Sequence, residues 1–129
     1  MEKMWIIVAN THRARCFERD AKSQTLNALA DFVLPSAGST AGFGSPHGDP
    51  TKERGQFARE IADFLNKGAA AQRFAGLELI VSGRMLGELR PCLSTTTDRT
   101  LRGCVASDLT HYQGAELRQR IDYALRLPN

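Results

Sequence analysis

The chain has 129 residues, 42% of them hydrophobic and 24% charged, with a formal net charge of +3. That length suits one domain around a single core, and the composition is that of an ordinary globular protein. No apolar run approaches the roughly 18 residues of a membrane span, and mild basicity permits attraction to nucleic acid without requiring it. Cys16, Cys92 and Cys104 are widely spaced, with no CxxC pair. They read as reduced thiols of a cytoplasmic protein, not as a disulfide frame or a zinc site.

Trp5 to Ala9 is a continuous apolar run of the kind that forms a central strand, and it is too short to read as a secretory leader. After the polar break Asn10-Thr11-His12, the segment Ala14 to Glu18 alternates as a second strand, and Leu26 to Leu34 continues as a third. Short connections make these three an antiparallel meander. Pro35 to Pro50 is rich in glycine, serine and proline and reads as a flexible loop within a single domain spanning 1–129. Asp49-Pro50 then supplies a capping carboxylate and a first-turn proline. Phe57, Ile61, Phe64 and Leu65 recur at helical spacing, so a long amphipathic helix should run to about Ala71.

Leu77 to Val81 is a fourth, buried strand. Ser82 should cap a helix through Met85, Leu86 and Leu89, which Pro91 ends. A polar stretch, Ser94 to Asp98, leads to a fifth strand over Leu101–Ala106, and Gly114 to Leu125 closes the chain as an amphipathic helix. With right-handed crossovers the fourth and fifth strands lie beside the first. The expected fold is α/β: a five-stranded mixed sheet in order 3-2-1-4-5 with helices on its faces, a ribonuclease H-like arrangement.

Chemistry-bearing residues are sparse. His12, His47 and His111 stand far apart with no carboxylate or cysteine at ligand spacing, so no metal and no cofactor is expected. Ser45-Pro46-His47-Gly48-Asp49 has triad residue types, but neighbours in one loop do not face each other with triad geometry. A ribonuclease H site needs carboxylates gathered on adjacent strand ends, and the first strand has none. The more promising residues are basic. His12, Arg13, Arg15 and Arg19 fall on the first hairpin, and Arg84, Arg90, Arg99 and Arg102 near the second crossover. His12, Arg13, Arg15, Arg84 and Arg90 are the candidate anion or RNA contacts, diluted by Glu18, Asp20, Glu88 and Asp98.

Val8-Ala9, Arg13-Ala14-Arg15, Phe57-Ala58-Arg59-Glu60, Leu86-Gly87-Glu88-Leu89-Arg90 and Asp108-Leu109-Thr110-His111 occur in that order. Together they resemble the bacterial family "protein required for attachment to host cells". That family is similar to the middle domain of archaeal and eukaryotic class-1 release factors, which implies the fold and points toward ribosomal or other structured RNA. Arg54-Gly55-Gln56 nearly spells the Gly-Gly-Gln tripeptide with which release factors hydrolyse peptidyl-tRNA. Arg54 replaces the first glycine, however, and the expected helix already includes Gly55 and Gln56.

Three functions remain open at this stage. The first is a non-enzymatic cytoplasmic binding protein for structured RNA. The second is an ester hydrolase acting through Gln56. The third is a protein-interaction module that affects attachment indirectly through regulation.

Overall fold

A computed structural model describes residues 3–20, 22, 25–34 and 50–126, with the backbone alone for Pro50 and Thr51. The expected loop at 35–50 therefore lies outside the described residues except for Pro50, as do Asp49 and the Ser45–Asp49 cluster.

Five strands form one sheet in the order β3-β2-β1-β4-β5. They are β1 (Lys3–Ala9), β2 (Arg13–Asp20), β3 (Leu26–Val33), β4 (Gly76–Val81) and β5 (Leu101–Ala106). β1, β2 and β3 pair antiparallel, while β1–β4 and β4–β5 are parallel. Both the strand order and the mixed pairing agree with the sequence reading. The register between β2 and β3 shifts at Cys16/Phe17, leaving Leu29 as an extra residue on the edge strand.

Alternation along β1 sends Trp5, Ile7 and Ala9 to one face and Ile6 and Val8 to the other, and every one of these side chains is fully or almost fully buried. The first face carries α1 (Pro50–Ala70), α2 (Gly83–Leu89) and α3 (Thr95–Arg99). Phe57, Ile61 and Leu65 of α1 pack there with Met85 and Leu89 of α2. α4 (Gly114–Arg126) covers the second face, setting Leu117 and Ile121 against Ile6, Val8, Phe17 and Ile80.

α1 presses close to β1 at Gly68, where an added Cβ would lie 2.7 and 2.8 Å from carbons of the Trp5 ring. The helix ends one residue before the expected position. Gln72 then takes a left-handed backbone, φ 56°, as amides of Gln72 and Arg73 reach back to the carbonyls of Ala69 and Gly68.

Two local expectations need correction. The polar stretch before β5 is not merely a connection, because Thr95–Arg99 is a short helix with Ser94 as its N-cap, accepting from the Thr97 amide. Asn66 of α1 holds it in place, accepting from the Ser94 amide and the Thr97 hydroxyl while donating to the Cys92 carbonyl. Ser82, by contrast, occupies the N-cap position of α2 without a side-chain capping bond, and its buried Oγ has no hydrogen-bond partner among the described residues. Pro91 lies in a 3-10 turn, Arg90–Cys92, that ends α2 as its ring requires.

Candidate functional site

β1, β4 and β5 all run toward the same end of the sheet, where open α/β folds place their ligands. Three segments gather there: Asn10–His12 after β1, Ser82 and the first residues of α2 after β4, and Ser107–Gln113 after β5. The Ser82 amide donates to the Ala9 carbonyl and the Ser107 amide to the Val81 carbonyl, which ties the three together.

Asn10 organises this end. Its Oδ1 accepts from the amides of His12 and Arg13, and its Nδ2 donates to Asp108 Oδ2 at 3.1 Å and Thr110 Oγ1 at 3.0 Å. Asp108 Oδ1 in turn accepts from the Thr110 amide and, at 2.6 Å, from its hydroxyl. Burial alone would raise the Asp108 carboxyl. The Thr110 bonds, the Asn10 amide and the nearby His111 outweigh it and hold the group below the usual carboxylate range. The network is polar, nearly satisfied and fixed. His12, Arg84 and the ring of His111 stand exposed around it.

The other candidate residues are placed differently. Arg13 reaches across the hairpin to Asp31, with Nε and Nη2 at 3.2 and 2.9 Å from its two carboxylate oxygens. This bidentate bond holds Asp31 below the ordinary carboxylate range. Arg15 lies on the same face, as alternation requires, but donates to the Tyr112 carbonyl at 2.8 Å and sits over the Phe17 ring. Desolvation, followed by repulsion from Arg13, lowers its pKa. Both candidate arginines therefore already spend part of their guanidinium on partners within the fold. Arg90 lies away from this end and pairs with Asp98 at 3.5 Å.

Gln56 lies within α1, exposed and without a hydrogen-bond partner among the described residues. Arg54 points to Glu88 of α2 across 3.5 Å. The near-tripeptide thus lies inside α1, with Arg54 directed at α2, and not at a loop tip. No group of three or more histidine, cysteine, aspartate or glutamate side chains with metal-ligand placement occurs among the described residues. Cys16 is fully buried, and burial pushes its thiol up to about 12, far from a reactive thiolate.

Asn10, Asp108 and Thr110 were not singled out as site residues by sequence reasoning. The signal was faint: two polar breaks directly after apolar strands, nearly a hundred positions apart, which only the parallel sheet brings together.

The fold and this polar strand-end site define a small α/β domain built on a five-stranded mixed sheet. The chain belongs to the family "Protein required for attachment to host cells", whose model matches residues 34–121. No curated protein matches it. Among solved structures, one described as "Archaeal protein" aligns with TM-score 0.60 and 17% identity over 96% of this chain and 34% of its own. A type II variant of the Aquifex aeolicus Ppx/GppA phosphatase aligns with TM-score 0.48 and 11% identity over 83% of this chain and 36% of its own. The chain thus spans about a third of these structures, and at 17% identity the likeness to the first is one of fold.

Proposed function

We propose that this member of the host-attachment family acts by binding, and that its contact surface is the carboxyl end of the sheet. The partner we infer is a phosphate-bearing one, structured RNA. The observation that carries this reading is the exposure of Arg84 and His12 just beyond the neighbouring ends of β4 and β1. Both side chains are exposed, neither has an ion-pair partner among the described residues, and each lies three positions beyond a paired strand end, Val81 and Ala9. His12 Nδ1 bonds to the Thr11 hydroxyl at 3.0 Å, which leaves Nε2 and the Arg84 guanidinium for phosphate oxygens, whereas Arg13 and Arg15 are already engaged. Three free cysteines, one of them deeply buried, suit a cytoplasmic setting for this activity.

Pull-down from a cell lysate with and without nuclease tests the reading. The expected result is recovery of RNA that nuclease abolishes, and reduced recovery with Arg84→Gln. Capture of a nuclease-insensitive protein would instead favour the second reading, a protein-interaction module. The feature that favours it is β3, one of the two outer strands of the sheet, with Val33 63% exposed and its acidic Asp31 already neutralised by Arg13.

A further inference from the structure

At the opposite end of the sheet, beneath the last turn of α4, lies a recess of about 330 Å³. Met4 and Ile6 of β1 and Leu125 of α4 give it apolar walls, and Arg19, Glu78, Asp122 and Arg126 give it polar ones. Its size is at the lower end of the range for small-molecule sites.

Arg19 is the informative residue. Its side chain is only 13% exposed. Its Nε and Nη2 are buried without a hydrogen-bond partner among the described residues. Nη2 does lie 2.8 Å from Asp122 Oδ1, but off the direction of its N–H bonds, so the ion pair fixes the guanidinium without satisfying it. Buried donors in native proteins are nearly always satisfied, and exceptions call for a missing acceptor. Glu78, half-buried in the middle of β4, has no hydrogen-bond partner among the described residues. Burial raises its carboxyl, with Arg19 and Arg102 opposing. Among the described residues the recess therefore offers no well-aligned acceptor to Arg19 and no donor to Glu78.

We propose that this recess binds a small organic acid of amino-acid size. Its carboxylate accepts from Arg19 Nε and Nη2, with Arg126 at the rim. Its apolar body lies on Met4, Ile6 and Leu125, and an amino or hydroxyl group donates to Glu78. Such a ligand gives Arg19 an acceptor and Glu78 a donor and covers the apolar floor, while Asp122 keeps its ion pair with Arg19. The site is separate from the strand ends proposed to contact RNA, and either can fail without the other.

Methyl-labelled methionine provides the readout, because Met4 lines the recess and Met85, buried under α1, serves as an internal reference. L-leucine and 2-hydroxyisocaproate should shift the Met4 signal and leave Met85 in place. Isocaproate lacks the donor and should bind roughly tenfold more weakly, and leucinamide, without the anion, should lose binding. Glu78→Gln should narrow the preference for leucine over isocaproate. Arg126→Gln, an exposed change, should weaken leucine several-fold. Arg19→Gln should abolish the shift; if that variant does not fold, the contrast between leucine and leucinamide on the unaltered protein decides. A Met4 signal unmoved by all four compounds at about 10 mM, or moved equally by all, would overturn the proposal and leave the Arg19 donors to water.

Discussion

Asn10 and Asp108 carry most of the order at the strand ends, and each can be tested alone. Removing the Asn10 side chain leaves the His12 and Arg13 amides, the Thr110 hydroxyl and Asp108 each short of one partner. Asn10→Ala should cost about 1–3 kcal/mol, measured by urea unfolding. Asp108 makes a pH statement as well. Its folded pKa is depressed, so its contribution is present above the unfolded pKa and lost as pH falls through the folded value. Asp108→Asn should therefore be less stable near neutrality and show a flatter acid limb than the unaltered chain. Equal slopes from neutral pH to about pH 3 would show that the carboxylate is not held as described. Gln56→Ala, by contrast, should change stability by no more than about 0.5 kcal/mol, as for an exposed side chain with no partner. Loss of an esterase activity in that variant would restore the hydrolase reading.

At the scale of elements, two helical glycines make opposite predictions. Gly68 has the Trp5 ring where a Cβ would stand, and Phe74 at 3.1 Å closes the other side. Gly68→Ala should overpack the α1–β1 contact and cost about 1–3 kcal/mol. Gly87 in α2 is exposed and has nothing within 4 Å of a built Cβ, so Gly87→Ala should stabilise by about 0.5–1 kcal/mol through helix propensity. Thermal unfolding of the two variants side by side checks both signs.

The same elements show what a sequence can and cannot reveal. All five strands and the long α1 were legible, because Trp5–Ala9 and Leu77–Val81 are unbroken apolar runs and Phe57, Ile61 and Leu65 keep helical spacing. α3 was not, because Thr95–Arg99 is polar and short. Its stability comes from Ser94 beside it and Asn66 on another helix, and no local pattern announces the second. Arg13 was legible as exposed to some degree, but not as engaged, since its partner Asp31 lies on the neighbouring strand.

For the whole molecule, function follows from which charges remain unengaged, not from how many there are. Internal pairs such as Arg13–Asp31, Arg19–Asp122 and Arg90–Asp98 engage several of the 17 basic side chains and leave the net charge at +3. The family model identifies the chain without assigning chemistry to a residue, so the strand-end surface is the place to look for that chemistry. Titration of labelled ribosomal RNA over a salt series, for the unaltered protein, Arg84→Gln and the Arg13→Gln/Arg15→Gln double variant, tests it most directly. The expected result is salt-sensitive binding whose log–log slope falls by roughly 0.7–0.9 for Arg84→Gln and changes less for the double variant. Absence of binding at tens of micromolar protein in low salt, or a slope set by Arg13 and Arg15 instead, would contradict a contact surface at the carboxyl end of the sheet.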